Sequence, residues 1–164
     1  MQDIAGCRVI VTNEIEQDRI TKEIQTSFPE ASIMDRRKKP SHGYRAVHII
    51  VPIFGKWIEI QVRTRYQHLW AELSEKLSDS IDPAIKYGGG PVKLRNTLAK
   101  LSLVVKQIEK DLVELKAIEH DFTDSPIDEK TRIYHDSHGR LQKAIATLHY
   151  AIIKNGEIPS DLLD

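Results

Sequence analysis

The 164-residue sequence contains a single cysteine, Cys7. One thiol excludes an internal disulfide and any cysteine-based metal cluster, and it favours a reducing compartment. Net charge is lacking too, since 24 Lys and Arg balance 24 Asp and Glu. No global field then draws the molecule to nucleic acid or a membrane surface, so any anion site must be local. No apolar run approaches bilayer-spanning length, and the first residues lack the apolar core of a signal peptide. A cytoplasmic protein with no membrane partner is the expectation. Low-complexity tracts and internal repeats are also absent. What remains, 40% hydrophobic and 29% charged residues, suits a soluble globular domain with a core of its own.

The β-branched run at 4–11, bounded by Thr12-Asn13, predicts a strand. Ile15, Ile20, Ile24 and Phe28 recur at helical spacing and stop before Pro29, which predicts an amphipathic helix over 15–28. A short strand is expected at 31–35 and a basic, Pro- and Gly-bearing loop at 36–43. Strands over 44–51 and 57–63, joined by a turn at 52–56, form an expected hairpin. Thr64 is placed to cap a helix reaching about residue 77.

The pattern then changes. Asp82-Pro83 and Gly88-Gly89-Gly90-Pro91 mark a flexible connection. Leu94, Leu98, Leu101, Val105, Ile108, Leu112 and Leu115 alternate steps of four and three, a heptad seam. Leu141, Ile145, Leu148 and Ile152 continue that spacing in a last helix. The expected organisation is a core at 1–78, a flexible linker at 79–91 and a helical extension at 92–164. The fold class is α+β: a mixed sheet of about four strands flanked by helices, with an α-helical C-terminal appendage. The seam fits an intramolecular helical hairpin or self-association through the extension, with slightly more weight on a homo-oligomer.

Strand side chains alternate between faces. In 57–63, Ile58, Ile60 and Val62 make an apolar face, which leaves Glu59, Gln61 and Arg63 together on the other. In 44–51, Val47, Ile49 and Val51 point one way, and Tyr44, Ala46 and His48 the other. A hairpin of the two presents Tyr44, His48, Glu59, Gln61 and Arg63 as one polar cluster. An outer face of this kind is as often simply solvated as functional.

Three segments carry a resemblance. Gly43-Tyr44-Arg45-Ala46-Val47-His48 and Glu59-Ile60-Gln61-Val62-Arg63-Thr64, the latter followed by His68-Leu69-Trp70-Ala71-Glu72, resemble the two signature segments of RelA/SpoT-type (p)ppGpp synthetases. Asp3-Ile4-Ala5-Gly6-Cys7-Arg8 resembles that family's strand bearing a metal-binding aspartate. The motifs occur in order and cover residues 3–77. The resemblance implies a nucleotidyltransferase-like mixed sheet, ATP and GDP or GTP as substrates, and Mg²⁺.

Carried over by position, Asp3 would hold Mg²⁺ on the ATP phosphates. Glu59 would deprotonate the ribose 3′-hydroxyl of the guanine nucleotide and also touch the metal. Tyr44 would stack on guanine, His48 would reach the acceptor phosphates, Gln61 would position the ribose, and Arg8 would contribute to the ATP side. Transfer of this kind needs in-line positioning and charge neutralisation more than covalent chemistry, so two carboxylates suffice. Plainer readings stand beside these: Asp3 as a solvated strand-entry residue, Glu59 paired with Arg45 or Lys56, Tyr44 as a half-buried strand aromatic, and His48 as structural. His68 and Trp70 are expected to pack the helix on the sheet. His120, His135, His138 and His149 show no metal spacing and are expected at the surface.

Arg36, Arg37, Lys38 and Lys39 concentrate positive charge just before Gly43-Tyr44, where phosphates need partners, and are expected to bind the guanine nucleotide. Here the sequence departs from the family. Met34 stands where a basic residue usually precedes the aspartate, and Ser41 follows Pro40 where a lysine is usual. The family's basic ATP-binding helices, which precede its first strand, have no counterpart before 4–11. The expectation is tighter binding of guanine nucleotide than of ATP, and weak or no synthetase activity from this chain alone. Two rivals accompany the synthetase reading: the toxin branch of the family, which acts on the tRNA 3′ end, and a degenerate guanine-nucleotide-binding module.

Overall fold

The computed structural model describes residues 5–120 together with helical positions 131–132, 135–136, 139–140, 142–143, 146 and 150. Asp3 and the apolar positions Leu141, Ile145, Leu148 and Ile152 lie outside the described residues. The chain divides into two compact units, Met1–Glu72 and Leu73–Asp164.

The first unit is built on a four-stranded mixed sheet of order β1-β4-β3-β2. The strands are β1 (Ala5–Val11), β2 (Ser32–Asp35), β3 (Val47–Ile53) and β4 (Lys56–Thr64), with α1 (Glu14–Ser27) between β1 and β2. β4 lies inside the sheet, parallel to β1 and antiparallel to β3. The β3–β4 loop is only Phe54-Gly55, and both residues have positive φ, 49° and 72°. This left-handed pair matches the twist of a two-residue hairpin. Glycine takes the conformation readily, whereas Phe54 does so fully exposed to solvent.

Alternation sorts the sheet into two faces. Val47, Ile49, Val51 and Val62 are buried with Val11, and Ile20 and Ile24 of α1 and Phe28 at its C-cap pack against them. Ile15, expected on that stripe, is exposed, and Gln17 rather than Ile15 is the buried residue of the first turns of α1. Asn13 caps α1 by accepting the Glu16 N–H at 2.9 Å. Ile49 is fully buried, and its truncation to alanine would cost about 2–5 kcal/mol.

The helix α2 (Arg65–Ser80) starts at a reciprocal cap. Thr64 Oγ1 accepts from the Gln67 N–H, and Gln67 Oε1 accepts from the Thr64 N–H, each at 3.2 Å. Under the same corner lies a buried amide pair. Gln17 Nε2 donates to the Val62 carbonyl at 2.7 Å and to Gln67 Oε1 at 2.9 Å, which locks α1 to the end of β4.

In the second unit, residues 79–91, expected as a flexible connection, hold the end of α2 and a 3-10 helix, Pro83–Tyr87. Asp82 caps it at one end and the left-handed Gly88 closes it at the other. The seam lies on α3 (Val92–His120), where Leu98, Leu101, Val105, Ile108 and Leu115 are buried within the single chain. Arg140 pairs with Asp111 at 3.6 Å and with Glu114 at 3.5 Å. Both ion pairs lie within the one chain. His135 is exposed. No helix among the described residues is long and apolar enough to cross a membrane.

Candidate active site

The face of the sheet opposite the apolar core carries the expected polar residues, and the ladders set their rows. Arg8 of β1 is level with Gln61 of β4, which is level with His48 of β3, and Gly6 is level with Glu59. Residues in register share a face, so four candidate side chains are delivered to one surface by three strands.

Glu59 is at the centre. Its Oε1 contacts His48 Nδ1, and its Oε2 accepts from Gln61 Nε2 at 2.7 Å. A carboxylate only accepts, so the ring nitrogen is the donor. Burial alone would raise the carboxyl pKa. The His48 and Gln61 hydrogen bonds outweigh it, helped by the charges of His48 and Arg63, and the pKa falls below the ordinary 4.5. The partners expected in the plainer reading, Arg45 and Lys56, are not the ones found. Arg45 instead donates to the Arg37 carbonyl at 2.7 Å.

Tyr44 is not in a strand, as 44–51 predicted. It closes a two-residue turn in which the Tyr44 N–H donates to Ser41 O at 2.9 Å and the Ser41 N–H to Tyr44 O at 3.3 Å. His42 and Gly43 take positive φ, 53° and 94°, so this turn, rather than sheet pairing, aims the ring. The Tyr44 hydroxyl accepts from Arg63 Nη2 at 2.8 Å. His48 meets the ring edge-on at a centroid distance of 5.5 Å, and Trp70 approaches it at 6.5 Å. Burial pushes the phenol pKa up, against the opposing charge and hydrogen bond of Arg63. Trp70 is buried as expected, but it also borders the Tyr44 ring. His68 lies 3.4 Å from Glu72 one turn along α2.

The basic loop divides. The Arg36 N–H donates to Ala46 O at 2.9 Å, prolonging the β2–β3 ladder by one residue, so alternation returns Arg36 to the face of Met34 and His48. Arg37 goes the other way. It pairs with Asp18 at 2.7 Å and Asp35 at 2.8 Å, and donates to Gln17 Oε1 at 3.3 Å, all toward α1. Its guanidinium is an internal tie, raised further in pKa by the two carboxylates despite burial, and it is not presented with the nucleotide-binding candidates. Lys38 and Lys39 are exposed in the turn that follows. Sequence reasoning placed Arg63 in the cluster without giving it a role. Its signal was an arginine at the end of an apolar alternation just before a helix cap.

Mg²⁺ needs hard oxygen donors. Glu59, held ionised, is one. Among the described residues no three His, Cys, Asp or Glu gather as a metal cluster; Asp3, the other expected ligand, lies outside them.

Residues 1–78 match the model of the region found in RelA and SpoT proteins. Over this stretch the chain is similar to that RelA/SpoT region. An uncharacterized protein of Mycobacterium tuberculosis is 39% identical to it over 97 residues, 57% of this chain and 36% of the relative. The GTP pyrophosphokinase YjbM of Bacillus subtilis is 27% identical over 129 residues, 71% of this chain and 58% of the relative. The chain thus spans between about a third and three-fifths of the curated relatives it matches. The crystal structure of small alarmone synthetase 1 from Bacillus subtilis shares the fold, with a TM-score of 0.55 at 24% identity over 74% of this chain and 66% of that one. The RelA/SpoT-type match includes all five members of the polar cluster, Tyr44, His48, Glu59, Gln61 and Arg63.

Proposed function

We propose that the polar face of the sheet is the acceptor site of a (p)ppGpp-synthetase-type pyrophosphokinase that uses ATP and GDP or GTP. The observation that carries this reading is the continuous chain of contacts His48–Glu59–Gln61–Arg63–Tyr44. It sets an ionised carboxylate and an aromatic ring on one side of a rigid sheet.

Tyr44 offers a flat face to guanine, a contact worth about 1–3 kcal/mol. Arg36, Lys38, Lys39 and His48 supply positive or donor groups for the acceptor phosphates, and Arg8, exposed on β1, serves the ATP side. The ribose 3′ oxygen then bonds to the β-phosphorus of ATP, the bond from that phosphorus to the α-phosphate oxygen breaks, and AMP leaves. Glu59 takes the 3′-hydroxyl proton, with Gln61 keeping the carboxylate turned toward the ribose. Mg²⁺ would be held by Glu59 and Asp3 with phosphate oxygens, and when bound it neutralises phosphate charge.

Calorimetry with GDP, GTP and ATP, run beside an assay with ATP labelled in its β- and γ-phosphates, tests the reading. Label appearing on GDP or GTP, and lost in Glu59→Gln, is the expected result. Label on the tRNA 3′ end, or guanine-nucleotide binding without transfer, would replace it with the toxin-type or the binding-module reading.

A further inference from the structure

Arg63 is costly where it stands. Its side chain is only 3% exposed, and it makes no ion pair among the described residues. Its Nε and Nη1 are buried without an acceptor among the described residues. A desolvated guanidinium without a paired carboxylate is expensive, and an apolar residue of like volume generally costs less. Its remaining nitrogen is fully committed. Nη2 donates to Tyr44 Oη at 2.8 Å and to Gln61 Oε1 at 2.6 Å, and the guanidinium carbon lies 5.0 Å from the centroid of the Tyr44 ring.

The Gln61 contact has a direction. Because Arg63 only donates, Gln61 must turn its carbonyl oxygen to Arg63 and its NH₂ to Glu59. The amide therefore cannot flip without losing both bonds. His48 occupies the other oxygen of Glu59, so rotation of the carboxylate is blocked from both sides. On its other branch, Arg63 occupies the Tyr44 hydroxyl and lies against the ring, while His48 meets the ring edge-on. Both ends of the contact chain thus depend on one arginine.

We propose that Arg63 is the positioning residue of the acceptor site: by sharing one nitrogen between Tyr44 and Gln61 it fixes the plane of the base-stacking ring and the orientation of the proton-accepting carboxylate together. This rests on the guanine-nucleotide reading of the polar face. Arg63 acts through its two neighbours, so its loss should touch binding of the base and the chemical step at once and leave the donor side alone.

The test is kinetics and GDP calorimetry on the full chain, with Arg63→Met, Arg63→Lys and Tyr44→Phe. Arg63→Met should raise the KM for GDP and lower kcat, each by roughly tenfold to a hundredfold, the scale of misplacing reacting groups by about an ångström. The KM for ATP should stay within about twofold, and the melting temperature should hold or rise. Arg63→Lys keeps the charge but not the planar fork, and should fail to restore both parameters. Tyr44→Phe should weaken GDP binding in wild-type Arg63 but add little in the Arg63→Met background.

A lowered melting temperature with unchanged KM and kcat would make Arg63 merely structural and overturn the inference. Full rescue by Arg63→Lys would overturn it as well. Should Arg63→Met fail to fold, Arg63→Lys and Tyr44→Phe still decide. Wild-type protein that neither binds GDP nor turns it over would remove the site reading itself, and this inference with it.

Discussion

His48 and Glu59 stand diagonally across the β3–β4 ladder, with ring Nδ1 on carboxylate Oε1, while Gln61 holds Oε2 from the same strand. Both carboxylate oxygens are thereby occupied by donors. The pair converts a partly buried acid, which desolvation would push toward the neutral form, into one that is ionised at any physiological pH.

Glu59→Gln keeps the volume and removes the basicity. The transfer rate should fall by about 10²–10⁴-fold, the usual contribution of a positioned general base. GDP affinity should stay within a few-fold, because Tyr44 and the basic groups are untouched. Comparing initial rates with calorimetric Kd separates the two, and a variant that keeps its turnover removes Glu59 from the chemistry.

The pH dependence follows from the same contacts. A depressed pKa means that Glu59 loses its negative charge only below its ordinary value of 4.5. The kcat/KM profile should therefore show no acid limb from this residue between about pH 5 and 8. Replacing Gln61 with leucine removes a donor to Oε2, raises the Glu59 pKa and moves the acid limb upward. An unmoved limb in Gln61→Leu would show that the hydrogen bond does not set the ionisation.

Much of this was legible in the sequence, for a physical reason. Period-two alternation in 57–63 separates Ile58, Ile60 and Val62 from Glu59, Gln61 and Arg63, and one apolar face forces the register. The reciprocal cap at Thr64 and Gln67 is equally local. The fate of the basic loop was not legible. Four consecutive cations look alike in sequence, and only the third dimension shows that Asp18, carried on α1, captures Arg37 while Arg36 continues the strand alternation. Tyr44 was misplaced in a strand because the positive φ of His42 is invisible to propensity. The seam was read correctly as a helix face, but spacing does not say whether the same chain or another copy covers it.

Arg37 tethers the loop that carries Tyr44, so its removal should act on stability. Arg37→Met breaks the pairs with Asp35 and Asp18 and the bond to Gln17, leaving partly buried acceptors unpaired at a cost of about 1–3 kcal/mol. The Lys38→Ala/Lys39→Ala double variant should leave the melting temperature alone and weaken GDP binding, most at low salt. Denaturant melts and Kd against ionic strength distinguish the two. A stable Arg37→Met with weakened binding would return Arg37 to the phosphate group.

Asp35 predicts a pH-dependent part of that stability. Burial raises its pKa, but hydrogen bonds and charge from Arg37 outweigh the effect and hold it below 3.8. A carboxylate with a folded pKa beneath its unfolded one adds stability that is complete above the unfolded value and is lost as pH falls through the folded one. The loss therefore belongs below about pH 4. Asp35→Asn should be less stable than wild type at pH 7, and the gap should close on acidification. Parallel curves from pH 7 to pH 3 would show that the Asp35–Arg37 pair contributes nothing.

Tyr44 decides whether the face binds a base at all. The ring is held on three sides, by Arg63, His48 and Trp70, so little conformational entropy remains to be lost when a purine settles on its remaining surface. Tyr44→Ala removes the stacking partner and should weaken GDP binding by about 1–3 kcal/mol, roughly fivefold to 150-fold. ATP affinity should be unchanged, and Tyr44→Trp should recover much of the loss because a larger flat ring serves as well. The two variants measured together separate stacking from packing. If alanine and tryptophan both destroy binding in proportion to lost folded protein, the ring is a packing element; if tryptophan restores GDP binding, guanine is recognised on its face.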